Sequence, residues 1–202
     1  MSRTLFTSRD GGDLKLATQR ELWRSTLSLQ QLHFMRQTHN DIVMLVGDQG
    51  SEFEADALVT TTQGVGLAAL AADCMPITFS SMDVVGIAHV GRLGLVKAIA
   101  VKTVAMMRGL GAIDIEATIG PSICANCYEV SPEMYQELIA FLPATATSEE
   151  KHSLDLQSGV ASQLTELGVT VTNLGICTLE NSGYFSYRGG DLLERQAGII
   201  SL

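Results

Sequence analysis

Residues 71–111 read AADCMPITFSSMDVVGIAHVGRLGLVKAIAVKTVAMMRGLG. Two short runs, MPITFSS and DVVGIAHV, are apolar, rich in Val, Ile and Thr, and bounded by Gly, Asp or Pro, as strands are. From LVKAIAVKTVAMMRGLG onward the period changes. Polar positions become sparse, Ala and Met increase, and Gly109 and Gly111 stand at the stop, which predicts a mostly buried helix from Leu95 to about Arg108. Upstream, DIVMLVG and ADALVTT have the same strand character. Several strands therefore precede the first long helix, so the chain is not a simple βαβ repeat. It reads as an α/β protein with mixed β-sheets covered by helices rather than a doubly wound parallel sheet.

The rest of the chain fits that class. IEATIGPS reads as a strand entering a Gly-Pro turn, and Ser131-Pro132-Glu133 as a helix start with cap, first-turn proline and early acid. Asp155 opens another helix, with Leu156, Val160, Leu164 and Leu167 on one face and Gly168 at its end. VTVTNLGIC, YFSYR and AGIISL read as strands. At 202 residues, 46% hydrophobic and 17% charged, with no linker, repeat or low-complexity tract, residues 1–202 are expected to form a single globular domain.

A net charge of −9 argues against a nucleic-acid backbone as the main partner, although a local basic pocket for a small anion remains compatible. The N-terminal stretch MSRTLFTSRDGG has no apolar signal region and no window approaches a membrane span. With four cysteines and no secretory signal, a reducing cytoplasm is the expected location.

Histidine is scarce: His33, His39, His89 and His152. His39 lies where a strand meets a turn, Cys74 precedes Pro76 at a strand entrance, and His89 ends a strand before the turn HVGRLG. Three such residues at three element ends can converge on one rim of a sheet. Two imidazoles and a thiolate suit zinc, with a fourth position left for water or substrate. Cys124-Ala-Asn-Cys127 is formally a C-x-x-C, but it follows IGPSI in a loop without thioredoxin-like placement or a second zinc-ribbon pair. It reads as a structural or incidental pair.

The segments QTH, ADALVT, AADCMP, AHVGRLGL, IGPSICANCYEV, LDL, CTLENSGYFSYR and ERQAGII occur in this order. In that order the chain resembles, from Phe6 to Ile200, a bacterial family known variously as YfiH-like, laccase-domain or multicopper polyphenol oxidase, peptidoglycan editing factor, and purine nucleoside phosphorylase. The resemblance implies a four-layer α/β sandwich related to toxin cysteine hydrolases, and a zinc site formed by His39, Cys74 and His89. It also implies phosphorolysis of adenosine, inosine, guanosine and methylthioadenosine with phosphate as co-substrate, together with deamination of adenosine. The partners it implies are small molecules, and the assembly a monomer or homodimer.

The chain departs from the family pattern at three places. Where the family turn reads His-Ala-Gly-Trp-Arg-Gly, Arg92 takes the Trp position and Leu93 the Arg position, so Arg92 becomes the candidate for anion binding. Glu194-Arg195 replaces a usual Gly-Arg, and the segment between FTSRDGG and MRQTH is shorter. For deamination, zinc would lower the pKa of water to about 7, and Asp73 is the nearest carboxylate to move protons, although on an extended backbone it would face away from the metal. For phosphorolysis, Arg188 and Arg92 are the phosphate candidates, and Gln37 and Tyr187 the contacts to base or sugar. Copper oxidation is disfavoured because multicopper sites need many histidines. Other readings are a Cys74–His89 hydrolase and a metal-stabilised binding module in cell-wall quality control.

Overall fold

The apolar runs pair into two mixed sheets. The structure, a computed structural model, describes residues 2–48, 53–147 and 150–202. The first sheet contains β1 (Arg3–Phe6), β2 (Gln31–Arg36), β4 (Phe53–Glu54), β6 (Val65–Ala71) and β11 (Gln196–Ser201), in the order β1-β11-β6-β2-β4. The second contains β3 (Val43–Leu45), β5 (Ala57–Thr60), β7 (Met75–Ser80), β8 (Val85–Val90), β9 (Glu116–Ile119) and β10 (Thr170–Asn173), in the order β10-β9-β7-β8-β5-β3. Both are mixed: β7 and β8 pair antiparallel, as do β11 and β6, while β2 runs parallel to β6 and β3 to β5.

Why the strands lack a polar face follows from the layers. In β8, Val85 and Ile87 join Leu58, Leu67, Ala69 and Ile200 in a core between the two sheets. The alternate residues Ala88 and Val90 join Ile99, Val104 and Met107 of a core on the outer face of the second sheet. A third cluster, with Ala68, Ala197 and Ile199 against Trp23 and Leu27, covers the outer face of the first sheet. Helix, sheet, sheet, helix is the four-layer arrangement that the family resemblance implies.

The helices are α1 (Ala17–Thr26), α2 (Arg92–Val96), α3 (Ile99–Gly109), α4 (Pro132–Phe141) and α5 (Leu156–Glu166). Ser131 caps α4 by accepting from the Met134 N–H, and Asp155 caps α5 by accepting from Ser158, as read from the sequence. The single helix expected from Leu95 to Arg108 is instead two, broken where Ala98 takes a left-handed φ of 56°. The break lets α2 pack on β8 and α5 while α3 crosses β5 and β8. YFSYR is not a strand. The Gln196 side-chain amide takes both backbone groups of Phe185, donating to its carbonyl and accepting from its N–H, so the segment has no ladder there. Among the described residues, no helix is long and apolar enough to cross a membrane.

Candidate functional site

Strand β6 belongs to the first sheet and β7 to the second, so Ala72-Asp73-Cys74 must cross between the sheets at one rim. At the same rim β2 ends and Gln37–Asn40 turns away, and β8 ends at Val90, just before Gly91. This crossing brings His39, Cys74 and His89 together, each offering a ligand atom within 4.8 Å of the others. His39 Nε2 lies 3.8 Å from Cys74 Sγ, and the two imidazoles meet edge to face with centroids 4.9 Å apart. Gly91 closes over them: a Cβ there would stand 2.8 Å from Cys74 Sγ and 3.4 Å from the His39 ring. The cradle tolerates no side chain.

Sequence reasoning missed the residue that organises this set. Asp56, fully buried just before β5, accepts from His89 Nδ1 at 2.8 Å through Oδ1. Its Oδ2 accepts the N–H groups of Thr38 at 3.1 Å and Asn40 at 2.7 Å, the two residues flanking His39. His39 itself has φ 56°, a conformation disfavoured for a residue with a Cβ, and the bonds on either side hold it there. Lys97 Nζ adds a bond to the His39 carbonyl at 2.7 Å. One carboxylate thus orients two candidate ligands, the arrangement carboxylates make beneath metal-bound histidines. The only signal in the sequence was an acid opening an otherwise apolar strand.

The electrostatics suit a cation-binding thiolate. Burial would raise the Cys74 thiol, but the His89 charge and hydrogen bonds from both histidines bring it down to about 6. Burial would likewise lower His89, yet the Cys74 thiolate and Asp56 raise it to about 9. The thiolate forms as pH rises through about 6 and the imidazolium persists to about 9, so without metal the pair is thiolate–imidazolium between those limits. In metal-free protein, alkylation of Cys74 by iodoacetamide is therefore expected to rise with a midpoint near 6. His89→Ala removes the main charge opposing burial and should move the midpoint up by more than about one unit. Peptide mass mapping across pH reads both, and an ordinary thiol midpoint in the unsubstituted protein would refute the pairing.

The triad lies in a cleft of about 610 Å³, within the range of small-ligand sites. Lys15, Arg36, Arg188 and Arg195 bring positive charge to the cleft of an acidic protein, and Tyr128 and Tyr187 supply aromatic surface. The Arg188 guanidinium lies 5.2 Å from the Tyr128 ring centre and donates to the Glu129 carbonyl. Arg92 is not among the described residues that line the cleft; it lies near Tyr128, whose hydroxyl burial pushes up while the charges of Arg92 and Arg188 pull the other way.

Gln37 and Asp73 line the same cleft, but their polar atoms are already engaged. Gln37 donates to and accepts from the Leu70 backbone, extending the β2–β6 pairing. Asp73, at φ 83°, accepts from the hydroxyls of Thr178 and Ser186 and from the Arg188 N–H, each at 2.7 Å. That carboxylate ties the crossing loop to the loop bearing Tyr187 and Arg188. His33 and His152 are placed elsewhere, His33 bonded to the Gly47 carbonyl and His152 meeting Tyr135 edge to face.

A family model described as "Multi-copper polyphenol oxidoreductase laccase" matches residues 6–202. The chain is 39% identical over 189 residues to the purine nucleoside phosphorylase ORF3 of Streptomyces griseus, an alignment covering 87% of this chain and 77% of that one. It is 32% identical over 190 residues to the adenosine deaminase RL5 of an unknown prokaryotic organism, covering 80% of this chain and 71% of that one. A solved structure from Neisseria meningitidis, of the DUF152 family, is similar with a TM-score of 0.86 at 26% identity, covering all of this chain and 94% of that one.

Proposed function

The chain belongs to the family described as multi-copper polyphenol oxidoreductase laccase, and from that premise we propose that it is a zinc-dependent enzyme acting on purine nucleosides. Its reactions would be phosphorolysis of adenosine, inosine, guanosine and methylthioadenosine, and deamination of adenosine. The observation that carries this reading is the shared cleft: the His39–Cys74–His89 donor set and the cations Arg188 and Arg195 line one cavity. The comparisons support it, since relatives at 39% and 32% identity are named a purine nucleoside phosphorylase and an adenosine deaminase.

Two imidazoles, one thiolate and an Asp–His pair beneath them fit zinc, and four histidines in the whole chain are too few for a multicopper cluster. Bound there, zinc would supply a Lewis acid that brings the acidity of water to near neutrality. Everything else falls to the protein. Asp56 fixes His89 with Nδ1 engaged, so that Nε2 faces Cys74. In phosphorolysis a phosphate oxygen bonds to ribose C1′ as the C1′–N9 bond breaks, giving ribose 1-phosphate and the free base. The Arg188 guanidinium, engaged through Nη1 on the Glu129 carbonyl, is the group suited to hold that phosphate, while Arg195, whose terminal nitrogens donate to the carbonyls of Asp191, Leu192 and Glu194, adds positive charge to the same wall. Tyr128 and Tyr187 would flank the purine, and Asp73 acts as a positioning residue that holds the Arg188 loop. Arg92 would act through Tyr128.

Arg188 gives the cleanest test, because its backbone N–H, not its side chain, serves Asp73. Losing one charged hydrogen bond is worth about 1.5–3 kcal/mol. Arg188→Ala is therefore expected to raise the phosphate KM roughly ten- to a hundredfold, while adenosine deamination, which uses water, changes by less than about threefold. Assays of zinc-loaded protein with and without phosphate read both. Absence of turnover of any purine nucleoside would refute the reading, and equal loss of both activities would remove Arg188 from phosphate binding.

A further inference from the structure

Beyond that cleft, the Cys124-x-x-Cys127 pair, which the sequence presents as incidental, has partners 50 residues on. Cys177 and Glu180 repeat the same spacing, and the four ligand atoms of Cys124, Cys127, Cys177 and Glu180 lie within 4.8 Å of one another. The loops are held side by side by backbone bonds: Ser122 pairs in parallel with Cys177, its N–H donating to the Ile176 carbonyl and its carbonyl accepting from Thr178. From this geometry we infer that the chain carries a second metal site, a Cys₃Glu centre for zinc, distinct from the His39–Cys74–His89 set.

Four observations support it. A tetrahedral zinc with Zn–S near 2.3 Å places its ligand atoms about 3.7 Å apart, so the observed spacing needs only small side-chain rotations. Cys127 Sγ already lies 3.4 Å from Glu180 Oε1. The Cys124 N–H points at Cys177 Sγ at 3.4 Å, the kind of bond that stabilises a metal-bound thiolate. The donors grade from buried Cys177 to exposed Glu180, which leaves an entry path for the ion. A disulfide would use only two of the three thiols and leave Glu180 without a role. Binding would displace the protons of the three thiols and clamp the loop before Tyr128 to the segment leading to Arg188. The site would therefore be structural, stiffening one wall of the cleft.

The His39→Ala/Cys74→Ala double variant tests this without reference to catalysis, because it leaves the first cluster one ligand. Reduced, reconstituted with zinc and desalted, it is expected to retain one zinc per chain. With Co²⁺ instead, it should show a thiolate-to-cobalt absorption band that Cys74 cannot supply. Adding Cys127→Ser, at a partly exposed position, should lower retained zinc by at least about tenfold and abolish the band. Glu180→Ala should weaken zinc retention while leaving the band. No zinc in the double variant, zinc unaffected by Cys127→Ser, or an unreduced mass showing a disulfide within Cys124, Cys127 and Cys177 would each overturn the inference.

Discussion

Replacing Cys74 with alanine is expected to lower kcat/KM for phosphorolysis and deamination by at least about a thousandfold, while the protein still melts in one cooperative transition. The size follows from what is lost. A catalytic metal contributes several kcal/mol of transition-state stabilisation, and about 4 kcal/mol is a factor of a thousand. With only His39 and His89 remaining, the first cluster becomes a weak site, and zinc per chain should fall from two to one. The fold should persist because Cys74 lies in the crossing loop, outside the three apolar clusters that hold the layers together. A core of this extent does not need a metal to form, unlike that of a zinc finger. Steady-state assays, metal analysis and a thermal melt on one preparation decide it. A variant that lost this zinc but kept a tenth of its activity would remove the metal from the mechanism.

Mixed sheets covered by helices were legible because the sequence pattern that reports them is local, whereas the count of layers came from the family resemblance. MPITFSS and DVVGIAHV are apolar on both faces, which is what a sheet buried between a second sheet and helices requires. Caps at Ser131 and Asp155 were equally local, each a side chain serving an N–H three residues away. What escaped was local pattern overruled by packing. Nothing in the composition of LGLVKAIAV marks the left-handed turn at Ala98 that divides the expected helix. Strand β6, as VGLAALA, is too alanine-rich to stand out from helix. Helix α1, whose residues are all partly or fully exposed, has a one-sided but sparse apolar face, with Leu22 and Trp23 set among polar and charged neighbours, so it does not stand out in the sequence.

The site divided in the same way. His39, Cys74 and His89 were readable as scarce side chains at element ends, and the family resemblance selected them. Their support was not readable, because Asp56 meets His89 and the His39 turn only once β2, β5 and β8 are assembled. Cys177 and Glu180 were invisible for a related reason. A search for paired cysteines does not pair Cys-x-x-Cys with Cys-x-x-Glu, and 50 residues separate the two halves. Asp73 illustrates the converse: a carboxylate beside a metal ligand suggests proton transfer, but three donors from distant segments occupy its oxygens.

Asp56 carries the other large effect, and two substitutions there separate folding from metal binding. Asp56→Ala leaves the His89 ring N–H and the Thr38 and Asn40 amides without an acceptor in a fully buried position. Breaking a buried charged pair in this way costs about 3–5 kcal/mol, which for a chain of this length lowers Tm by about 6–20 °C. It also releases the positive-φ turn at His39, so zinc affinity falls as well. Asp56→Asn keeps the volume and one acceptor oxygen, and should cost much less in Tm. Its amide cannot accept from both His89 and the His39 turn. If the amide nitrogen faces His89, it donates to Nδ1 and forces the ring proton onto Nε2, the atom that must bind metal. If the oxygen faces His89, two loop N–H groups meet an NH₂ group instead. Either orientation should weaken zinc at the first cluster about 10- to 100-fold while leaving the Cys₃Glu centre untouched. Competition with a coloured chelator reads the affinity, and calorimetry reads Tm. Zinc affinity unchanged in Asp56→Asn would mean that the carboxylate serves the fold alone, with the triad assembled by the crossing of β6 into β7.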